Sequence, residues 1–328
     1  MDGIRPSGSA VGFGMTSLRV LGSSDLEVFP LALGGNVFGW TADRAESFAV
    51  LDAYTAAGGN FVDTADAYSA WAPGNEGGES ETVIGDWLSA RGNRADVLIA
   101  TKVGAHPQYK GLAPANVKAA AEASLRRLKT DYIDLYYTHY DDPSVPVEEF
   151  LGALDELVRS GKVRAIAASN ISPERLQEAL DASDREGLVR YVALQARYSL
   201  VSRDTYEGPL QEVASRGGLA TIPYYGLASG FLTGKYRPGA QVDSPRAGSA
   251  GAYLSSERGQ RVLAALDEVA RDQNAEIATV ALAWLASRPT IAVPLASART
   301  PAQLPALLAA ATLTLTDKNL KKLTQASQ

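Results

Sequence analysis

Residues 115–170 read ANVKAAAEASLRRLKTDYIDLYYTHYDDPSVPVEEFLGALDELVRSGKVRAIAASN, and this stretch decides the fold. Ala115–Leu128 is a long amphipathic pattern of helical period. Tyr132–Tyr137 is a short run of aromatic and branched residues with strand propensity. Val147–Arg159 returns to the helical period, Ser160-Gly161 stops it, and Val163–Ala167 is again a short apolar run. Helix, strand, helix, strand in immediate succession is the signature of parallel βαβ units.

The alternation continues outward in both directions. Strands are expected at Leu31–Gly34, Asn60–Asp63, Val97–Thr101, Val192–Gln195, Ala220–Pro223 and Ile291–Pro294, besides the two above. Helical patterns fill Arg44–Ala57, Glu81–Ala90, Pro173–Leu180, Thr205–Ala214, Glu257–Arg271, Ile277–Ala286 and Ala302–Ala310. Local chemistry agrees: glycines at 58–59 stop the first helix, and Ser172-Pro173 starts the fifth as a cap with proline in the first turn. Thr300-Pro301 starts the last in the same way. Eight strand–helix repeats predict an α/β protein, a (β/α)₈ TIM barrel. RVLGSSDLEV, 19–28, reads as an N-terminal β-hairpin closing the barrel floor. Two helical patterns precede the last strand, so extra helices are expected. The Gly, Ser, Pro and Tyr-rich segment from Gly226 to Ser256 reads as a long functional loop. The start, 1–14, reads as a disordered or artificially added segment, with one barrel domain over 15–328.

Composition narrows the function. With 31 Lys plus Arg against 37 Asp plus Glu, the formal charge of −6 argues against a nucleic-acid binder. The absence of cysteine removes disulfides, thiolate nucleophiles and Cys-based zinc sites. Only His106 and His139 remain as imidazole ligands, so no metal site is expected. No apolar run reaches membrane-spanning length and no signal peptide is evident, so a cytoplasmic location and no membrane partner are expected.

In such barrels chemistry sits at the C-terminal ends of the strands. There the second, third and fourth strands deliver Asp63, Tyr68, Lys102 and His139 to one rim. The set suits carbonyl reduction, because a hydride arriving at a carbonyl carbon leaves an oxygen that needs a proton. Tyrosine, with a free pKa of about 10, is a poor acid at neutral pH. A neighbouring lysine ammonium is expected to lower that value, and a carboxylate to hold the lysine in place. An imidazole can orient the substrate oxygen or assist proton transfer. Taken singly, each residue has an ordinary structural explanation; convergence on three consecutive strand ends points to catalysis.

The pieces DTADAYS (63–69) with GGESETVIGDWL (77–88), ATKVG (100–104), RLKTDYIDLYYTHYDD (127–142), GKVRAIAASN (161–170), ALQARYSL (193–200), PYYGLASGFLTGKY (223–236) and SARTPAQL (297–304) resemble the aldo-keto reductase superfamily, in its order. The resemblance runs from about Arg19 to Ala310. It implies a (β/α)₈ barrel that uses NADPH to reduce an aldehyde, ketone or keto-sugar, with Asp63, Tyr68, Lys102 and His139 as the catalytic four and Tyr68 as general acid. It further implies that Ser169, Asn170 and Gln195 hold the nicotinamide carboxamide and that Tyr224 stacks on the ring. Tyr225, Gly226, Leu227, Ala228, Ser229, Gly230 and Lys235 would wrap the pyrophosphate. Ser297, Arg299 and Gln303 would contact the adenosine and its 2′-phosphate. Ala306 and Leu307 depart from the pattern, standing where an acidic residue and an asparagine would hold the adenine. No Rossmann glycine fingerprint follows the first strand.

Trp40 and Trp71 are the expected lining of the substrate pocket. A small-molecule carbonyl is the expected partner; neither its identity nor the oligomeric state is legible. One variant reading keeps the catalyst and makes the substrate a nucleotide-linked sugar or a secondary metabolite. The alternative from another class is a non-catalytic nucleotide-binding barrel, a sensor or channel-associated regulatory subunit. The intact set of four favours the enzyme.

Overall fold

The computed structural model describes residues 17–244 and 246–328. The segment 1–14 lies outside the described residues. β1 (Arg19–Val20) and β2 (Glu27–Val28) form the expected antiparallel hairpin. Its turn uses Gly22 at φ 55°, where a Cβ would lie 2.1 Å from the Val192 carbonyl oxygen, so backbone approach and handedness both require glycine.

The barrel strands are β3 (Ala32–Gly34), β4 (Phe61–Asp63) and β5 (Leu98–Val103), then, after a small hairpin of β6 (Ala105–His106) and β7 (Tyr109–Lys110), β8 (Ile133–Thr138), β9 (Val163–Ser169), β10 (Tyr191–Gln195), β11 (Ala220–Thr221) and β12 (Leu295–Ala296). They are all parallel, in the order β11-β10-β9-β8-β5-β4-β3-β12. The two ends of the sheet meet: Thr221 N–H donates to the Thr290 carbonyl and Ala292 N–H to the Thr221 carbonyl, both at 2.9 Å, and Leu295 N–H to the Pro223 carbonyl at 3.1 Å.

The helices are α1 (Arg44–Ala56), α2 (Glu79–Arg91), α3 (Pro114–Leu128), α4 (Val147–Arg159), α5 (Pro173–Glu186), α6 (Pro209–Arg216), α7 (Ala247–Leu254), α8 (Glu257–Gln273), α9 (Ile277–Ala286), α10 (Leu304–Leu308) and α11 (Asp317–Ala326). Several boundaries differ from expectation: α5 runs on to Glu186 instead of ending at Leu180, and others differ for identifiable reasons. Pro223 and Pro294 supply no N–H, so β11 stops at Thr221 and the expected strand over Ile291–Pro294 becomes regular only at Leu295. Gly208 at φ 96° breaks the backbone, so α6 starts at Pro209 rather than Thr205. The stretch begun at Thr300-Pro301 opens as a 3₁₀ turn, without a side-chain cap. Within the expected loop of 226–256 sits α7.

Alternation along the strands sorts side chains into two cores. Phe61, Ala100, Leu135, Tyr137, Ala165, Ala167 and Ala193 point inward, sealed below by Leu21, Leu26 and Val28 of the hairpin. Val62, Ile99, Tyr136, Ile166 and Leu194 point outward into the helix layer. The same parity fixes the upper rim. Two positions on from inward Phe61, Ala100, Ala167 and Ala193 come Asp63, Lys102, Ser169 and Gln195, all buried. Polar residues at the top of an otherwise apolar interior are thus a consequence of register.

Candidate active site

Lys102 is fully buried at the end of β5, and its ammonium uses three donors. It donates to Asp63 Oδ2 at 2.7 Å, to the Thr64 carbonyl at 2.7 Å and to the Tyr68 hydroxyl at 2.9 Å. Tyr68 in turn donates to Asp63 Oδ2 at 3.3 Å. The remaining carboxylate oxygen, Asp63 Oδ1, accepts from Gln195 Nε2 at 2.8 Å. His139 follows β8, its ring centre 6.0 Å from that of Tyr68 and stacked at 4.8 Å on Tyr140. The four residues expected to act together therefore share one corner of the rim.

Their electrostatics differ in one respect from the sequence-based expectation. Burial, then the charge of Asp63 and the hydrogen bond to it, hold the Tyr68 hydroxyl well above the ordinary phenol value. The lowering expected from Lys102 does not prevail, because the ammonium is already neutralised by Asp63, whose Oδ2 serves lysine and tyrosine alike. Burial draws Lys102 below its usual value while Asp63 draws it back up. His139 is held well below the ordinary imidazole value by burial and by Lys102, so it is neutral near pH 7. Its Nδ1 is buried with no partner among the described residues.

Opposite this corner stand the residues expected to hold a nicotinamide. Asn170 directly follows β9 in the left-handed conformation, φ 47°. Its Nδ2 donates to the His139 carbonyl at 2.8 Å and to Ser169 Oγ at 3.0 Å, and its Oδ1 accepts from the Tyr224 hydroxyl at 2.7 Å. Tyr224, half-buried, hangs from the rim by its N–H bond to the Ala196 carbonyl. After it the chain turns through left-handed Tyr225, Ala228, Ser229 and Gly230. Non-glycine residues at positive φ are strained, and such turns can gather backbone N–H groups toward an anion; here Ala228 N–H donates to the Tyr225 carbonyl at 2.8 Å and Gly230 N–H to the Leu227 carbonyl at 2.9 Å. Gly226 packs on α9, where a Cβ would lie 3.0 Å from Leu285 Cδ2, and Leu227 packs against the core. Lys235 is exposed, with its Cε lying over Gly230.

On the far side Ser297 Oγ donates to Asn36 Oδ1 at 2.7 Å. Arg299 N–H donates to Gln303 Oε1 at 2.8 Å, which fixes the backbone and leaves the guanidinium without an ion pair among the described residues. Arg246, which sequence reading passed over, lies 5.5 Å from the Trp40 ring centre. Burial draws it below its usual value and the charge of Arg299 adds to this, opposed by the phenols of Tyr225 and Tyr236; it has no ion pair among the described residues. Two arginines close enough to feel each other's charge have the chemistry of a phosphate site. A single arginine among the small residues SPRAGSAG, 244–251, was the available signal for Arg246. Leu307 is buried in the core and the Ala306 carbonyl accepts from Thr279 Oγ1, so α10 turns no polar side chain at these two positions.

Trp40 and Trp71 meet edge to face at 5.5 Å, and Trp71 stands 6.1 Å from Tyr68 with 51% of its surface exposed. They form an aromatic wall beside the phenol. No helix among the described residues is long and apolar enough to cross a membrane.

The sequence profile of the Aldo/keto reductase family matches residues 30–328. The chain is 34% identical to Protein tas of Escherichia coli over 308 residues, covering 86% of this chain and 89% of that protein. It is 30% identical to norsolorinic acid reductase B of Aspergillus parasiticus, covering 93% and 82%. It is also 31% identical to a probable voltage-gated potassium channel subunit beta of Arabidopsis thaliana, covering 83% and 84%. An eight-stranded parallel barrel with this rim, matched over nearly its whole length, belongs to the aldo/keto reductase family of oxidoreductases.

Proposed function

We propose that this chain reduces an aldehyde, ketone or keto-sugar carbonyl to an alcohol with NADPH, and that Tyr68 is the general acid. The observation that carries the reading is the buried Lys102 ammonium, shared between Asp63 and the Tyr68 hydroxyl. A bound nicotinamide would supply the hydride to the carbonyl carbon. Until then burial and Asp63 keep the Tyr68 proton in place. As negative charge grows on the carbonyl oxygen, Tyr68 gives up that proton, and the Lys102 donor at 2.9 Å supports the phenolate left behind. His139 is neutral, and with Nδ1 orphaned its proton belongs on Nε2, since a buried unpaired N–H is the rarer arrangement. Nε2 can then donate to the same substrate oxygen.

The rest of the rim fits the cofactor. Ser169, Asn170 and Gln195 offer amide and hydroxyl groups to a carboxamide, with the Tyr224 ring beside them. The turn through left-handed Tyr225, Ala228, Ser229 and Gly230, with Lys235, suits a pyrophosphate. Arg299 and Arg246 suit a 2′-phosphate, with Ser297 and Gln303 at the adenosine. Trp40 and Trp71 would line the substrate side. The test is NADPH oxidation over a panel of aliphatic, aromatic and sugar carbonyls. Turnover supports the enzyme. Tight NADPH binding with no turnover on any panel member would favour a regulatory nucleotide-binding barrel, a reading kept open by the relative named as a potassium channel subunit.

A further inference from the structure

Asp63 and Gln195 lie 132 residues apart in the chain, yet Gln195 Nε2 reaches across the barrel mouth to Asp63 Oδ1 at 2.8 Å. The carboxylate is thereby divided. Oδ1 is taken by a neutral amide, and only Oδ2 is left for Lys102 at 2.7 Å and Tyr68 at 3.3 Å. Both residues are buried, Asp63 at 0% and Gln195 at 2% exposure, so the Asp63 carboxylate has no water at hand as a replacement partner. The other groups facing this carboxylate are the Lys102 ammonium, the Tyr68 hydroxyl and, from β8, Tyr137, whose ring centre is 5.5 Å from that ammonium. Gln195 Oε1 has no hydrogen-bond partner among the described residues.

We propose that Gln195 is a positioning residue, whose amide fixes the Asp63 carboxylate so that one oxygen alone is offered to Lys102 and Tyr68. This rests on the reduction proposed above for its catalytic consequence, but not for the bond itself. Without the amide, Oδ1 is a buried anion oxygen lacking a donor. The carboxylate would rotate to share both oxygens with Lys102, drawing the ammonium off the tyrosine. It would also carry more of its charge toward Tyr68, because no N–H spreads that charge onto a neighbour. Since Oε1 stays unused, the same amide could still accept from a carboxamide N–H, which would tie cofactor seating to the geometry of the acid.

Gln195→Leu keeps the bulk and removes the donor. Gln195→Glu places a second carboxyl against Asp63; protonated it can donate in place of the amide, ionised it cannot. The bond is read first in the cofactor-free protein, by thermal unfolding of Gln195→Glu, Asp63→Asn and the double variant across about pH 5 to 8. The carboxyl at 195 would have a raised value in the folded state, so its contribution is present at low pH and lost as pH rises. The expected result is a Tm for Gln195→Glu that falls by roughly 2–4 °C or more over that range relative to wild type. In the Asp63→Asn background the fall should shrink to the part that burial alone causes. A fall of undiminished size there, or no fall at all, overturns the proposal whether or not any carbonyl is reduced.

The catalytic consequence is read with NADPH and a panel substrate. Gln195→Leu should lower kcat by about 10–100-fold, the scale of a misplaced group. The high-pH limb of kcat should move upward, because Asp63 then holds the Tyr68 proton more tightly. Gln195→Glu should recover activity only toward the acid end. A Gln195→Leu variant that raises the NADPH dissociation constant while leaving kcat and its pH limb in place would make Gln195 a cofactor contact only, and overturn the proposal. Absence of any turnover by the wild type would instead count against the proposed reduction, leaving the unfolding cycle to decide on the Gln195–Asp63 bond.

Discussion

Lys102 and Tyr68, 34 residues apart on neighbouring strand ends, meet with the ammonium 2.9 Å from the phenol oxygen. The same phenol lies 3.3 Å from Asp63 Oδ2. Tyr68 therefore feels a cation and an anion together, at the half-buried mouth of the barrel. The anion and burial prevail at rest, and the proton stays on oxygen. What Lys102 contributes is a donor already in place for the moment the proton leaves, at no reorganisation cost.

Tyr68→Phe should keep NADPH binding within a few-fold and cut turnover by about 10²–10⁴-fold, the usual worth of positioned proton transfer. Lys102→Met should cut turnover similarly, and the double variant hardly further, because the pair acts as a unit. Stability separates the two. Tyr68→Phe removes a hydroxyl whose partners keep each other. Lys102→Met leaves the buried Asp63 carboxylate without its cation, at a cost of roughly 3–5 kcal/mol. Single-turnover rates and urea unfolding of the three variants provide the check; full activity in Tyr68→Phe excludes it as the acid.

Asn170 serves as both a backbone device and a junction. Its left-handed φ of 47° suits Asn or Gly, and its amide ties His139 to Tyr224. Asn170→Gly should keep the backbone and lose the junction; Asn170→Ala should lose both and be less stable than the glycine variant by roughly 1 kcal/mol. Both should bind NADPH more weakly than wild type. Equal stability of the two would mean that the turn does not require its handedness, and unchanged affinity in both would remove Asn170 from the cofactor site.

Asp66 has no part in the array yet is fully buried, and neither carboxyl oxygen has a partner among the described residues. Burial, then the charge of Glu81, holds its carboxyl well above the usual range. The folded state therefore binds this proton more tightly than the unfolded chain does. The stability it contributes is present below the unfolded value of about 3.9 and lost as pH rises through the raised folded value. Asp66→Asn cannot ionise. It should be more stable than wild type by roughly 1–3 kcal/mol at about pH 8, and nearly equal near about pH 4. Denaturant melts at the two pH values test this, and a destabilised variant at the higher value would mean that Asp66 is ionised and partnered in solution.

The strands were legible because eight short apolar runs recur between amphipathic ones, and the rim was legible because Asp63, Lys102 and His139 end three of them. The strand ends blurred at Pro223 and Pro294, where a missing N–H interrupts the ladder without moving the chain. The β6–β7 hairpin escaped because two residues a side leave no alternation to read. In α7, AGSAGAYL is too rich in glycine for its propensity to show through. By contrast α11 had a readable signal: Thr316 caps it by accepting from Asn319 N–H, and Leu320 and Leu323 share a face. The direction of the Tyr68 shift was not legible, since it depends on one carboxylate oxygen being shared by two donors. The same holds for Gln195, whose amide shows its partner only once β10 and β4 face each other across the mouth.

Cofactor choice should rest on Arg299. A 2′-phosphate is nearly dianionic at neutral pH, and a guanidinium grips it through charge-assisted, bidentate hydrogen bonds. In this protein the arginine's backbone is held by its own N–H bond to Gln303 Oε1, and its charge acts on another arginine, Arg246. Repulsion between them is relieved when an anion enters, so the site is biased toward binding one. Leu307 is committed to the core and the Ala306 carbonyl to Thr279, so neither side chain gives the adenine a polar hold, and more of the affinity must come from the phosphate. Arg299→Ala should weaken NADPH by roughly 1.5–3 kcal/mol, the scale for hydrogen bonds to charged groups, and barely change NADH. Because the substitution also removes a like charge facing Arg246, the cofactor-free variant should unfold at the same temperature as wild type or slightly higher. Raising the salt should weaken NADPH more in wild type than in the variant. The measurements are the two dissociation constants at two salt concentrations, with a thermal melt of each cofactor-free protein. An equal loss for both cofactors, or a wild type that prefers NADH, would reduce Arg299 to a surface arginine and leave Arg246 as the phosphate ligand to be tested in its place.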